Sequence, residues 1–354
     1  MDKIKLLKNL TELNGIGANE KEVSSFIKKS VVGLCDEVSY DNLGSLIAFK
    51  KGSGPNIMLA AHTDEIGMMV TEITSNGFIK FNPIGGWLTQ VMGGQLFQIT
   101  TTKGKVYGVI GIKPPHLVPA DKRKEAFSME SLVLDVGGTT KEEIQKMGVR
   151  PGDMITPVFE FRQLGNGDFL LGKAMDDRIG CAVLIAVLEE LENQPNNLYA
   201  TFTAQEEVGS RGAKTSSYLV NPKIAIAIDS GLGNDVPGGD LRENSQVKLG
   251  AGPQILLSDA GLIAHQGLRN FVLEVANELG IPYQETILTV GRTDAAMMHL
   301  AHDGAAAISL CIPTRYMHSH TSIVHKDDYY NTIKLLVEVI KRLDDSKVNE
   351  ILNF

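Results

Sequence analysis

Acidic residues and histidines follow five apolar, strand-like segments of this 354-residue chain. They are His62 and Asp64 after "IMLAA", Asp176 and Asp177 after "FLLGKAM", Glu206 and Glu207 after "TFTAQ", Asp229 after "IAIAI", and His318 and His320 after "ISLCIPTRYM". In open α/β sheets, ligand sites lie beyond the carboxyl ends of the strands. We therefore expect these side chains to meet in one pocket.

Carboxylates gathered in one pocket repel each other unless cations are bound between them. Two divalent metal ions would remove this repulsion, and an aspartate placed between the two ions can bridge them. The candidate ligands are His62, Asp176, Glu207, Asp229 and His318. Nitrogen and carboxylate ligands without thiolate favour Zn²⁺, and Co²⁺ or Mn²⁺ also suit such a site.

A site with two metal ions holds a bridging water, lowers the pKa of that water and polarises a carbonyl group. A further carboxylate nearby can act as general base and then as acid for a leaving amine. Each motif taken singly has a structural explanation: "DD" before a helix is typical of capping, "EE" after a strand is typical of a solvated turn, and Arg178 can pair with Asp177. The joint placement of all five motifs favours metal-dependent hydrolysis.

The composition argues against several classes of protein. A net charge of −8 does not favour nucleic acid as the main partner, because phosphate binding needs a basic surface. No segment approaches the roughly 18 apolar residues of a membrane span, and the N-terminal segment lacks the apolar core of a signal peptide. The isolated cysteines Cys35, Cys181 and Cys311 are typical of reduced thiols, so we expect a cytoplasmic protein.

Strands and helices alternate in the second half of the chain. The segments 198–205, 223–231 and 305–313 have the composition of buried strands, and 178–193 has the apolar pattern of a long helix. With a further buried strand at 56–62, this alternation predicts an α/β fold in which a mostly parallel sheet has helices on both faces.

Residues 67–164 follow a different pattern. Asn-Gly and Lys-Gly turns separate strand-like segments, and prolines, another strand and a short helix follow. We interpret this region as a small inserted β-rich domain. Residues 1–66 and 165–354 then form one discontinuous catalytic domain.

Several motifs resemble those of a known family. "AHTDEIG", "GKAMDDRIG", "AQEEVGSRGA", "AIDSG", "GRTDAAMMHL" and "RYMHS" are similar to the motifs of the di-metal aminopeptidases of the tetrahedral (TET) and glutamyl aminopeptidase type, some of which are called endoglucanases. The resemblance implies a zinc-peptidase-like α/β domain and a PDZ-like insert used in assembly. It also implies a dodecamer whose inward-facing sites admit only short peptides.

The resemblance assigns the metal ligands individually. It implies that His62 and Asp229 hold one ion, that Glu207 and His318 hold the other, and that Asp176 bridges the two ions. The sequence alone does not decide which glutamate of the pair binds metal.

The same resemblance implies three further roles. Asp177 follows Asp176 across an unusual peptide bond, Asp64 orients the imidazole of His62, and Glu206 is the general base. Metal-bound imidazoles usually need such an orienting partner.

The chain departs from the family pattern in two places near the expected substrate pocket. Many members have Gly-Gly-Thr-Asp-Ala where this chain has "GRTDA", and many have a proline and an acid where this chain has "HSHTSIV". Arg292, Asp294 and His320 are therefore candidates for the substrate pocket. Arg292 can pair with an acidic side chain at the peptide N-terminus, or it can be a surface arginine or one paired with the protein's own acids.

These observations predict a metalloaminopeptidase that hydrolyses the N-terminal peptide bond of short peptides. Three alternatives remain at this point: a di-metal hydrolase of acylated amino acids, an endo-glycosidase and a non-catalytic, metal-dependent scaffold. A glycosidase needs two carboxylates spaced about a sugar bond and usually an aromatic cleft, whereas this chain has one tryptophan.

Overall fold

A computed structural model describes residues 1–122, 124–238 and 247–353. In these ranges the helices are α1 Lys3–Glu12, α2 Lys21–Val31, α3 Lys141–Lys146, α4 Met175–Glu190, α5 Arg211–Val220, α6 Gln266–Glu278, α7 Ala295–Met298, α8 Lys326–Arg342 and α9 Asp345–Leu352. Short 3₁₀ helices lie at Thr89–Val91, Pro115–Leu117, Ala120–Lys122 and Met129–Ser131. No helix in the described ranges is both long enough and apolar enough to cross a membrane.

The strands in the same ranges are β1 Glu37–Tyr40, β2 Leu46–Lys50, β3 Asn56–His62, β4 Gly67–Ile73, β5 Ile79–Ile84, β6 Leu96–Thr101, β7 Gly104–Ile110, β8 Leu134–Asp135, β9 Met154–Pro157, β10 Arg162–Leu164, β11 Phe169–Gly172, β12 Asn197–Thr203, β13 Ile224–Leu232, β14 Gln254–Ser258, β15 Gln284–Ile287, β16 Ala306–Arg315 and β17 Ser322–His325. They form one large sheet and one barrel.

The large sheet has the strand order β1-β2-β12-β3-β13-β16-β17-β11-β10, and β14 pairs with β15 and β16 beside this path. The central strands β12, β3, β13 and β16 are parallel to one another. The outer pairs are antiparallel except β14–β15. The predicted α/β fold is confirmed, with parallel pairing concentrated at the centre of the sheet.

Helices cover both faces of this sheet, as predicted. Along β3, Ile57 and Leu59 pack in a core shared with α1, α2, α4, α6, α8 and α9. Met58 and Ala60 pack in a smaller core with α5 and α7. The alternation arises because successive side chains of a strand point to opposite faces.

The second unit is a closed barrel with the strand order β4-β5-β8-β7-β6-β9, in which every pair is antiparallel. The barrel encloses its own apolar core, which includes Met68, Phe97 and Ile155. The predicted turns contain Gly77 and Gly104, whose φ angles of 80° and 128° suit glycine. The inserted β-rich domain is thus confirmed as a barrel.

The barrel strands end at Pro157 in β9. The next strand, β10, pairs with β11 at the edge of the large sheet, although residues 162–164 fall inside the predicted insert. The domain limits at 66/67 and 164/165 stay a prediction.

Candidate metal centre

The centre of the sheet brings the predicted residues together at one edge. β3 ends at His62, which pairs in register with Thr203 at the end of the parallel strand β12. Six of the predicted residues line one open cavity of about 530 Å³: His62, Asp176, Glu206, Glu207, Asp229 and His318. The expectation of one pocket is met for these six residues, because parallel strands place their carboxyl ends at the same sheet edge. Asp64, Asp177 and His320 do not line the cavity.

His62 and Asp229 lie on one side of this cavity and are both buried. The Nε2 atom of His62 is 3.0 Å from Oδ1 of Asp176 and 3.9 Å from Oδ1 of Asp229. The other ring nitrogen, Nδ1, lies 3.0 Å from the backbone oxygen of Asp64. Nδ1 therefore donates to this carbonyl, and Nε2 is left facing the carboxylates, where it can bind an ion once it has lost its own proton.

His318 and Glu207 lie on the other side. The Nε2 atom of His318 is 3.4 Å from Oδ2 of Asp176 and 3.7 Å from Oε2 of Glu207. Its Nδ1 atom lies 3.0 Å from the backbone oxygen of Gly86. Both histidines thus have the same arrangement, with Nδ1 toward a carbonyl and Nε2 toward carboxylates, and Asp176 uses one oxygen for each of them.

The segment after β11 places the next pair of acids. Asp176 and Asp177 are joined by a cis peptide bond. The fully buried Asp177 accepts hydrogen bonds from the backbone N–H groups of His62 (3.2 Å) and Gly180 (3.0 Å). The expected pairing of Arg178 with Asp177 is wrong, because burial directs the guanidinium to backbone carbonyls and to another acid.

The electrostatics of the cavity favour bound cations. Burial, together with the charge of Asp176, raises the pKa of Glu207 to about 8. Burial and the neighbouring Asp177 raise the pKa of Asp229 well above its ordinary range. Burial also acts on Asp176, but hydrogen bonds from His318 and His62 hold its pKa below the usual value.

Potential ligand atoms form two groups, and the atoms within each group lie within 4.8 Å of one another. One group is His62, Asp177 and Asp229, and the other is Asp176, Glu207 and His318. The buried Oε1 atom of Glu207 has no hydrogen-bond partner among the described residues. Nitrogen and carboxylate donors, a buried carboxylate oxygen without a partner, and acids that resist ionisation together fit two divalent cations.

The paired glutamates face the same cavity because the strand has ended before them. β12 stops at Thr203, and Gln205 has a positive φ of 60°, so the alternation of a strand no longer applies. Glu206 accepts a hydrogen bond on Oε1 from the Ser210 hydroxyl at 2.9 Å. Burial is the main factor that raises the pKa of Glu206 to about 7.

Asp64 has a position that the sequence did not reveal. Its backbone oxygen contacts His62, whereas its carboxylate Oδ1 is 3.6 Å from the same ring nitrogen. The carboxylate accepts hydrogen bonds from the backbone N–H groups of Glu206 (2.9 Å) and Glu207 (3.2 Å). Asp64 therefore holds the backbone of the glutamate pair.

A buried charge cluster supports the same region from behind. Glu65 accepts hydrogen bonds from Nζ of Lys173 at 2.7 and 2.8 Å and from Arg178 at 3.4 Å. Arg178 also donates to the backbone oxygens of Thr63 and Leu10. This cluster ties the segment after β3 to the start of α4, which are the two segments that carry His62 and Asp176.

The substrate-pocket candidates occupy three different environments. Arg292 is exposed and lines the cavity. Asp294 is buried and accepts a hydrogen bond from the Thr203 hydroxyl at 2.5 Å. His320 is buried against the barrel, with Nε2 at 3.0 Å from the backbone oxygen of Val158. The described residues that line the cavity do not include Asp294 or His320.

The sequence did not single out several residues that line the cavity: Gly86, Gly209, Ser230, Leu232, Leu288, Val290, Gly291, Thr293 and Met317. Most are small or apolar residues without chemical signal of their own. Gly86 belongs to the "PIGGW" segment of the barrel, so the inserted domain reaches the cavity.

The M42 glutamyl aminopeptidase family model matches residues 44–335 of this chain. The chain therefore belongs to this family, which confirms the resemblance seen in the motifs. It is a metal-dependent aminopeptidase, a class consistent with the two groups of potential ligands.

Three similar proteins illustrate the family. A glutamyl aminopeptidase of Lactococcus lactis subsp. cremoris is 34% identical over 98% of this chain and 98% of its own length. A lysyl aminopeptidase of Pyrococcus furiosus is 34% identical over 96% of this chain and 98% of its own length. The Pyrococcus horikoshii TET1 peptidase, which can assemble into a tetrahedron or a large octahedral shell, is 31% identical with a TM-score of 0.87, covering 97% of this chain and 100% of its own.

Proposed function

We propose that this aminopeptidase holds two divalent cations and hydrolyses the N-terminal bond of short peptides. His62 and Asp229 would bind one ion, Glu207 and His318 the other, and Asp176 would bridge them. The position of Asp176 carries this proposal, because its two carboxylate oxygens face the Nε2 atoms of His62 and His318 at 3.0 and 3.4 Å. Zn²⁺ suits this donor set best.

The bound ions would polarise the scissile carbonyl and lower the pKa of the attacking water. Glu206 is the proposed general base. Its Oε1 atom already accepts the Ser210 hydrogen bond, so Oε2 is left to take a proton from the attacking water. When the C–N bond breaks, the same oxygen returns the proton to the leaving amine. Asp64 holds the backbone N–H of Glu206 and so fixes the position of this base.

The variants Glu206→Gln and Glu207→Gln separate the proposed base from the proposed ligand. Glu206→Gln should retain two metal ions per chain and lose about 10²- to 10⁴-fold in kcat, the usual contribution of a general base. Glu207→Gln should lose affinity for one ion. Metal content by atomic emission and turnover of aminoacyl anilides measure both effects. If Glu206→Gln turns over substrate as fast as the parent, Glu206 is not the general base.

Arg292 supports a preference for acidic N-terminal residues. Its guanidinium lies at the cavity wall beside Gly209 and has no ion-pair partner among the described residues. Leu288 and Val290, which come shortly before Arg292 in the chain, line the same cavity with apolar side chains. An unpaired cation there would attract a substrate carboxylate, and it would repel a lysine side chain. The two curated relatives named above differ in specificity at equal identity, so family membership alone does not set this preference.

The variant Arg292→Gln tests the preference without removing the bulk of the side chain. We expect kcat/KM for a glutamyl anilide to fall by up to about fivefold, because exposed ion pairs contribute about 1 kcal/mol or less. The leucyl anilide should change less than twofold. Arg269→Gln, on α6 and outside the cavity lining, is the matched control. An unchanged ratio of glutamyl to leucyl cleavage contradicts the proposed role of Arg292.

The cavity also bears on the alternative substrates. Among the described residues, no phenylalanine, tyrosine or tryptophan lines it, which does not favour an aromatic glycosidase cleft. A panel of dipeptides, N-acylated amino acids and cellulose, each assayed with and without chelator, separates the peptide reaction from the two other hydrolyses. Chelator-sensitive cleavage of the dipeptides alone is the expected result.

We further propose that the chain forms a homo-oligomer, with a dodecamer as the expected form. The assembly of the P. horikoshii TET1 peptidase into a tetrahedron or a large octahedral shell supports this. Light scattering should give a particle of twelve times the chain mass, and a monomeric mass at all concentrations contradicts it. The cytoplasmic location stays a prediction.

A further inference from the structure

His318 is the least firmly placed of the proposed ligands. It lies in the loop between β16 and β17 and adopts a positive φ of 56°. Its side chain is 41% exposed, whereas the side chain of His62 is 3% exposed. Burial therefore does little to fix the ring, and a specific contact must orient it.

The barrel provides this contact. Nδ1 of His318 lies 3.0 Å from the backbone oxygen of Gly86, a residue 232 positions away in the chain. A carbonyl oxygen only accepts hydrogen bonds, so Nδ1 must carry the proton. Nε2 faces Asp176 and Glu207, so the neutral form of the ring has its lone pair on Nε2, which is the tautomer that a metal-binding imidazole needs.

The segment around Gly86 is itself anchored in the barrel. The indole N–H of Trp87 donates a hydrogen bond to the backbone oxygen of Gly67 at 3.0 Å. The Trp87 ring also packs edge-on against Phe97 in the barrel core, with ring centroids 6.0 Å apart. The carbonyl of Gly86 therefore has a fixed position relative to β4 and β6.

The close approach of Gly86 to the imidazole leaves no room for a side chain. A Cβ atom at Gly86 would lie 2.8 Å from Nδ1 and 3.4 Å from Cε1 of His318. The backbone of Gly86 is outside the left-handed region, so alanine can adopt its conformation. The added methyl group would act chiefly by displacing the ring of His318.

We propose that Gly86 is a positioning residue for the metal centre: its carbonyl fixes the tautomer and direction of His318, and its missing side chain lets the imidazole reach the ion. The inserted barrel is thereby a structural part of one of the two metal sites. This inference rests on the proposed ligand set, in which His318 binds one ion.

Metal binding by the full-length chain tests the inference without relying on activity. Gly86→Ala is compared with Gly111→Ala. This control adds a methyl group in the same barrel at a position where φ is also ordinary and no atom of the described residues lies within 4 Å. His318→Ala identifies the affected ion. Each chelator-treated protein is titrated with Co²⁺ by calorimetry and visible absorption. Thermal unfolding of the metal-free variants checks their fold.

The parent and Gly111→Ala should each bind two ions, and each ion should bind with the same affinity in both proteins. Gly86→Ala should bind one ion normally and the other about 10- to 100-fold more weakly, the usual effect of losing a ligand's supporting contact. The weakened ion should be the one that His318→Ala loses. Trp87→Phe, which removes the anchor without adding atoms near His318, should weaken the same ion to a smaller extent and keeps the test open if Gly86→Ala misfolds.

The role of Gly86 would be overturned if the titrations of Gly86→Ala and Trp87→Phe both superimpose on that of Gly111→Ala. In that case, weaker binding of one ion by His318→Ala would still support the ligand set. If His318→Ala itself binds both ions with parental affinity, the proposed ligand set fails, and the inference fails with it.

Discussion

The buried charge cluster behind the metal centre should make a measurable contribution to folding. Glu65, Lys173 and Arg178 are each at most 2% exposed, and the single carboxylate faces both cations. The variant Glu65→Gln keeps the size and one acceptor oxygen of the side chain and removes its charge. Both cations would then lie buried without a counter-charge.

The magnitude follows from the titration of Lys173. Burial lowers the pKa of Lys173 from 10.5 to about 8 in spite of Glu65, which corresponds to about 3.4 kcal/mol at about 1.4 kcal/mol per pKa unit. Without Glu65 the Lys173 amine can lose its proton at pH 7. The free-energy cost of burying this residue is then limited to about 4.8 kcal/mol, the value for a fall in pKa from 10.5 to 7. Lys173 therefore adds at most about 1.4 kcal/mol to the destabilisation.

Arg178 cannot lose its proton and bears the remaining cost. Its hydrogen bonds to the carbonyls of Thr63 and Leu10 persist and moderate that cost. Breaking a buried ion pair typically costs about 3–5 kcal/mol. We expect Glu65→Gln to lower the free energy of unfolding by about 3 kcal/mol, at the lower end of this range, because Lys173 can neutralise.

Urea unfolding of the metal-free protein, followed by circular dichroism, measures this loss. Glu72→Gln is the matched control, because Glu72 pairs with Lys80 at 3.3 Å with both side chains more than half exposed. Such a pair contributes about 0–1 kcal/mol. The control separates loss of a buried charge from loss of charge as such.

The pH dependence provides a second signature. A lysine whose folded pKa lies below its unfolded pKa makes the unfolded chain hold more protons between the two values, so stability rises with pH there. In the parent this rise begins near pH 8, and in Glu65→Gln it begins below pH 7. The stability difference should therefore narrow by about 1 kcal/mol between pH 7 and 9. A variant within 0.5 kcal/mol of the parent at pH 7, with no narrowing, refutes this account of the cluster.

Two further predictions concern the segments around the glutamate pair. Gly212→Ala should destabilise the protein by about 1–3 kcal/mol, because its Cβ would lie 2.4 Å from the backbone oxygen of Ala204. Urea unfolding of this variant and of Gly111→Ala measures the effect. Equal urea midpoints for the two variants would show that α5 can shift freely. Burial, followed by the charge of Asp64, raises the pKa of Glu20 to about 7. Between about pH 4.5 and 7 the folded chain therefore holds more protons than the unfolded chain, so stability falls as pH rises through that window. Glu20→Gln can still accept from the backbone N–H of Gln205, and its free energy of unfolding should fall less between pH 5 and 7; parallel curves would contradict the raised pKa.

The sequence by itself determined the class of fold and the set of residues that could bind metal. Alternating apolar strands and striped helices specify a sheet covered on both faces, because each element must bury its apolar side. Acids and histidines after those strands then meet at one sheet edge, whatever the details of packing. His62, Asp229 and the glutamate pair could be placed by this rule, since each lies on or just after a central parallel strand.

The tertiary structure alone decided the contacts between residues distant in the chain. Asp64 binds the backbone of Glu206 and Glu207 chiefly, and His320 turns toward the barrel. The carbonyl that orients His318 comes from Gly86, 232 residues away. Periodicity describes only which side of its own element a residue occupies. Loop side chains and the junction of the barrel with the sheet depend on close packing between separate elements, which no local pattern encodes.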